Sequence, residues 1–144
     1  MMQPILSILI CTLPKRKEMF DNLIRMLHFQ NESDPLASME ILWDDSEIDS
    51  IGEKRNRLLQ KSTTPYLAFI DDDDTISQDY FKLLVEAVRS GCDCASLKGE
   101  ITIDGGEPEI FEHSLKYKEW RTTTNKVKYE RYPNHLKMIK ASIA

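Results

Sequence analysis

Residues 66–76 read Tyr66-Leu67-Ala68-Phe69-Ile70-Asp71-Asp72-Asp73-Asp74-Thr75-Ile76. A nearly unbroken apolar run passes straight into four consecutive aspartates. A strand with one wet face alternates apolar and polar residues, whereas a strand covered on both faces does not, so residues 66–70 predict a central strand of a parallel sheet. Ligands of open α/β sheets bind outside the carboxyl ends of such strands, which is where these acids fall. Four crowded carboxylates repel one another unless water, a lysine, an arginine or a cation offsets them. Hard oxygen donors suit Mg²⁺ or Mn²⁺, ions that usually hold phosphates as well. Acidic runs also occur as solvated turns and helix caps, and the apolar left flank is what separates this run from those.

The flanking segments extend the same pattern. Upstream, Ile5 to Ile10 predicts a buried strand, and Lys15 to Gln30 an amphipathic helix with Phe20, Leu23, Ile24 and Leu27 on one face. After a turn-rich connection, Met39 to Trp43 predicts a second strand that ends in Asp44-Asp45. Ile51 to Lys61 predicts a second helix with Leu58 and Leu59 inward, and Gln78 to Arg89 a third, closed by Gly91. Strands alternating with helices imply an α/β fold, a mostly parallel sheet flanked by helices. Beyond Cys92, Cys94 to Ile103 predicts a fourth strand, Gly105-Gly106 a tight turn, and Glu109 to His113 the returning arm of a hairpin. Lys116 to Tyr132 is basic and aromatic, without a clear period. Its plainer reading is an exposed strand pair with solvated charges, and the other is contact with an acidic glycan, a lipid phosphate or another part of an assembly.

Length and charge narrow the function. The 144 residues predict a single domain over 1–144, and a net charge of -5 argues against a nucleic-acid binder that relies on a broad basic surface. Ile5 to Leu13 is too short to span a bilayer and has no basic region before it, so neither a leader nor a transmembrane segment is expected, and a cytoplasmic setting follows. An odd set of three cysteines, Cys11, Cys92 and Cys94, agrees with a reducing compartment. Cys92-Asp93-Cys94 lacks a second ligand pair for zinc and reads as buried structural thiols.

Three strand ends converge in such a sheet: the loop Cys11 to Arg16, Asp44-Asp45, and Asp71 to Asp74. Gly52-Glu53-Lys54-Arg55-Asn56 adds a lysine, an arginine and an amide at a helix start, where free N–H groups favour anions. Acids for a cation and a base or ribose, with basic groups for a diphosphate, describe a nucleotide-diphosphate pocket. A metal-dependent phosphate enzyme of another α/β type would use similar acids, but no Gly-x-x-x-x-Gly-Lys loop is present. His28 reads as a helix surface residue, while His113 and His135 stay open as candidates to complete a metal site.

The order Ser7-Ile8-Leu9-Ile10-Cys11-Thr12 with Pro14 and Arg16, Trp43-Asp44-Asp45-Ser46, Gly52 to Asn56, and Tyr66 to Asp74 resembles the family 2 glycosyltransferases of the GT-A, Rossmann-like fold. The resemblance covers roughly the first two thirds of the chain. It implies that Thr12 and Leu13 meet the base with Arg16 nearby, although the usual aromatic after the threonine is absent. It implies that Asp44 or Asp45 accepts from the base, and that Arg55 and Asn56, joined by Lys54, meet the diphosphate. Asp71-Asp72-Asp73 matches the family's D-x-D, with Asp73 as metal ligand, Asp71 at the ribose or metal and Asp72 on the donor; four aspartates in a row leave the frame open by one residue.

The activity so implied is Mn²⁺- or Mg²⁺-dependent transfer, with inversion, from a nucleoside diphosphate sugar, a UDP-sugar being favoured, to a glycan, lipid or protein acceptor. Members of the family usually continue into an acceptor half with a late Asp or Glu as general base, so the chain is expected to stop short of it. Asn134 to Lys140 resembles the segment leading into that half. Glu107, Glu109 and Glu112 are the acids of the later loop, and none is assigned as base. The alternative is a non-catalytic nucleotide-binding or accessory module, with a partner chain supplying the missing half.

Overall fold

The computed structural model describes residues 3–33, 37–96, 98–132 and 137–144. Its first sheet is built on β1 (Leu6–Cys11), β2 (Met39–Asp44) and β3 (Tyr66–Asp71), which run parallel with β1 in the middle. Two short strands complete it, β4 (Cys94–Ala95) and β9 (Met138–Lys140), in the order β2-β1-β3-β9-β4. β9 lies antiparallel between β3 and β4. Four of the five strands therefore share one direction, and the mostly parallel expectation holds for strand direction while two of the four pairings are antiparallel.

β1 shows why the apolar runs carry so much information. Leu6, Ile8 and Ile10 face one layer and Leu9 the other, and all four are fully buried. The first face packs on α1 (Lys17–Ser33) and α3 (Tyr80–Arg89) through Leu23, Leu27, Phe81, Leu84 and Val85. The second packs on α2 (Ile51–Lys61) through Leu58, beside Leu67 of β3. One turn of 3-10 helix, Pro14–Arg16, precedes α1, so α1 begins two residues later than the sequence suggests. α2 opens with a capping box: the Ser50 hydroxyl accepts from the Glu53 amide and the Glu53 carboxylate from the Ser50 amide. The start of α3 borrows its cap from α1, because Gln30 Oε1 accepts from the Phe81 amide at 2.8 Å.

The predicted strand Cys94 to Ile103 is two strands in two sheets. β4 stays in the first, and β5 (Lys98–Ile101) pairs with β6 (Glu109–His113) as the expected hairpin in the second. Its turn needs left-handed backbone, with φ of 51° at Asp104 and 73° at Gly105. β8 (Val127–Arg131) adds parallel to β6, and β7 (Arg121–Thr122) antiparallel to β8. The basic aromatic stretch is thus half of this second sheet. No helix among the described residues is long and apolar enough to cross a membrane.

Candidate functional site

The carboxyl ends of the three parallel strands lie level. Cys11 pairs in register with Asp44 on one side and Asp71 on the other. The two acid clusters therefore flank the β1 loop, as expected. That loop is bound to both: the Thr12 amide donates to the Asp44 carbonyl at 3.0 Å, and the Thr12 hydroxyl donates to Asp72 Oδ2 at 2.8 Å. Arg16, on the 3-10 turn, reaches Asp72 Oδ1 at 3.0 Å and Asp73 Oδ2 at 3.1 Å.

The four aspartates are not equivalent. Asp72 is 3% exposed and held by Thr12 and Arg16, whereas the Asp73 side chain is 53% exposed. A turn follows β3, with the Asp74 amide donating to the Asp71 carbonyl at 3.1 Å. Asp71 is half-buried and Asp74 faces solvent on its outer side. The protein packed against its inner side pushes the Asp74 carboxyl up to about 6, and the charges of Asp71, Asp73 and Asp72 add to that.

The second strand end is differently arranged. Asp44 is buried at 9% and accepts from Arg57 Nε at 2.7 Å and from the Ser46 amide at 3.0 Å. The Arg57 bond is the main reason its carboxyl sits below the ordinary range. Arg57 also meets Asp49 Oδ2 at 2.6 Å, and the Ser46 hydroxyl donates to the same oxygen at 3.0 Å. Asp45 is exposed. Arg57 and Asp49 are not among the residues singled out in the sequence, although Arg57 lies one helical turn after Lys54 and marks the same face of α2.

Lys54 is 4% exposed, and its ammonium donates to the Thr12 carbonyl at 2.7 Å. It braces the β1 loop from beneath. Arg55 lies over the Phe69 ring at 5.7 Å, Asn56 is exposed and Leu13 half-buried. Cys11, Cys92 and Cys94 are free thiols but only half-buried, more open than expected, since each sits at a strand end or just past a helix. Burial pushes the Cys11 thiol up. His28 is exposed as expected, and His113 is buried against Phe111 in the second sheet; His135 lies outside the described residues. Glu109 is bound by Lys128 and Tyr129, Glu112 by Lys116 and Tyr117, and Glu107 is exposed.

Among the described residues no three His, Cys, Asp or Glu side chains converge as a ready-made metal cage. The donor chemistry still fits a hard divalent ion, because Asp71, Asp73 and Asp74 supply carboxylate oxygens at and just beyond the carboxyl end of β3. Mg²⁺-type sites commonly use only one or two carboxylates, with substrate phosphates completing the shell.

Residues 49–142 match the model of the protein family described as Glycosyl transferase family 2. That segment takes in α2, the aspartates, the second sheet and β9, but not β1 or β2. No curated protein sequence matches the chain. Among solved structures, the chain is similar to S. aureus TarS 1-349, with a TM-score of 0.63, 14% identity, and coverage of 96% of this chain and 47% of that one. TarS 1-349 in complex with UDP gives a TM-score of 0.61 at 14% identity, and in complex with UDP-GlcNAc 0.59 at 13%. The chain spans about half the length of these structures. The shared fold is the mixed α/β fold seen there.

Proposed function

The chain belongs to glycosyl transferase family 2, and from that premise we propose that it binds a nucleoside diphosphate sugar at the edge formed by Thr12, Asp44 and Asp71 to Asp74 and passes the sugar to an acceptor. The observation that carries this reading is the Asp71 to Asp74 run at the carboxyl end of β3, in which Thr12 and Arg16 pin Asp72 beside three further carboxylates. Asp73, with Asp71, would hold Mn²⁺ or Mg²⁺, and Asp74 lies within the same group of acids. Such an ion, when bound, offsets charge on the leaving diphosphate. Thr12, Leu13 and Arg16 supply the loop against the base, with Asp45 the exposed acid beside it. Arg55 and Asn56, in the second turn of α2, would meet the diphosphate.

The role of Lys54 is positional, since it holds the Thr12 carbonyl, and Asp44 is committed to Arg57. The uridine nucleotides named with the TarS structures support UDP as the base carrier to try first. Transfer proceeds with inversion: an acceptor hydroxyl attacks the anomeric carbon opposite the diphosphate, the glycosidic bond to phosphate breaks, and the hydroxyl proton passes to a base. Residues 1–144 act as one domain in this scheme. Three free cysteines support a cytoplasmic setting.

Calorimetric titration of UDP and GDP, each with and without Mn²⁺, tests the proposal on the chain and on Asp73→Ala. Metal-dependent UDP binding that disappears in the variant is the expected result, and equal affinity in both proteins refutes it. Binding with no sugar transfer or hydrolysis above background would replace the enzyme with a nucleotide-binding module that depends on a partner chain.

A further inference from the structure

The second sheet carries a surface that the donor site does not use. Residues 114–132 hold six lysines and arginines against two glutamates, in a chain whose net charge is -5. Lys116, Tyr117, Lys118, Arg121, Glu119 and Glu130 line a concavity of about 240 Å³. Glu112, Glu130 and Glu109 offset Lys116, Arg121 and Lys128, while Lys118 forms no ion pair with any described residue. Beside the concavity the Arg131 guanidinium is sandwiched, 5.0 Å from the Trp120 ring centre and 5.3 Å from that of Tyr129. Trp120 packs on Tyr132 at 5.5 Å, yet both rings stay about half exposed, at 53% and 50%. Large aromatic faces are normally withdrawn from water unless they serve contact.

The strands that connect the two sheets run to and from the donor-site edge of the first sheet. β4 runs parallel to β3 and leaves toward the edge that bears Asp71, and β9 enters from that edge, with Met138 level with Ala68. Five residues lie between Tyr132 and Met138 in the sequence, so their Cα atoms are at most about 22 Å apart.

We infer that the Trp120, Arg131 and Tyr132 cluster, with Lys118 and Arg121, is an acceptor platform for an anionic carbohydrate chain. Rings and the stacked guanidinium meet sugar faces, and the cations meet phosphate, sulfate or carboxylate groups. This rests on the glycosyltransferase reading above, and its test is separable from that of the donor site. The intact chain is titrated with dextran sulfate, neutral dextran and inorganic polyphosphate, and separately with UDP and Mn²⁺. Dextran sulfate binds tightest, Trp120→Ala weakens it about tenfold, and Arg121→Gln flattens its salt dependence. UDP affinity stays within about twofold of the parent in both variants. Polyphosphate binding as tight as dextran sulfate and insensitive to Trp120→Ala overturns the platform, as does equal binding of neutral dextran. Loss of UDP binding in the parent chain alone counts against the donor site and leaves the dextran sulfate result to stand or fall by itself.

Discussion

Thr12→Val isolates the contact that ties the β1 loop to the aspartates. Valine keeps the shape of threonine but has no hydroxyl to donate, and both Thr12 and its acceptor Asp72 are buried, at 5% and 3% exposed. The bond lost is 2.8 Å long and ends on a carboxylate that retains Arg16 at 3.0 Å, so the charge is not abandoned but loses its inward donor. Hydrogen bonds to charged groups contribute about 1.5–3 kcal/mol net. For 144 residues the unfolding entropy near 60 °C is about 0.3 kcal/mol/K, so a loss of about 2 kcal/mol lowers Tm by about 7 °C. Thr12→Ser keeps the donor and removes only one methyl, about 0.8 kcal/mol, and falls between parent and valine variant. Urea unfolding of the three proteins measures the order. A valine variant within about 0.5 kcal/mol of the parent, or a serine variant less stable than it, refutes the contact as the organiser of the loop. Because Thr12 and Arg16 share Asp72, a cycle with Arg16→Gln shows a coupling of about 0.5–3 kcal/mol.

Ser50→Ala breaks the capping box of α2 and costs about 1 kcal/mol in urea unfolding. Phe81→Ala empties a position that is 1% exposed between α3 and β1 and costs about 3–5 kcal/mol by the same assay. Asp44 is held below the ordinary carboxylate range in the folded chain, so its contribution is full above its unfolded value of about 4 and fades as the pH falls through the lower folded value. The difference in urea midpoint between the parent and Asp44→Asn therefore narrows from pH 7 to pH 3, and a constant gap refutes the assignment. Asp72→Asn destabilises by about 2 kcal/mol or more, whereas Asp73→Asn, on a pair with both partners over a third exposed, changes stability by less than about 1 kcal/mol while UDP binding with Mn²⁺ is lost.

The parts of the fold legible in the sequence are those where burial leaves a continuous mark. β1, β2 and β3 fall within a residue of their expected bounds because a strand covered on both faces has almost no polar residues, and α2 falls on its bounds, with Ser50 and Glu53 closing a capping box at its start. β9 was illegible: three residues, Met138 to Lys140, carry no period, and only the vacancy between β3 and β4 gives them a place. The stretch Cys94 to Ile103 reads as one strand because local pattern contains nothing about which sheet a strand joins. At the site, residue types and strand ends were legible, but side-chain direction was not. Lys54 turns inward to the Thr12 carbonyl, and Arg57, one turn later, takes Asp44.

Side-chain direction also decides how four consecutive aspartates divide their work. Asp71 is the last residue of β3, and the chain then turns, with the Asp74 amide donating to the Asp71 carbonyl, so the four acids are buried to different extents. Asp72 takes the inward direction, where Thr12 and Arg16 meet it. The middle acid of the D-x-D spacing thus anchors the β1 loop, with Asp71 and Asp73 on either side of it in the chain. Arg16 reaches both Asp72 and Asp73, so the residue that steadies the loop also tempers the charge a divalent ion would meet. Loop position and metal affinity are then coupled through one guanidinium. Removing it loosens the loop and at the same time leaves Asp73 more negative, two effects on nucleotide binding that oppose each other, and measurement of Mn²⁺ affinity with and without UDP separates them.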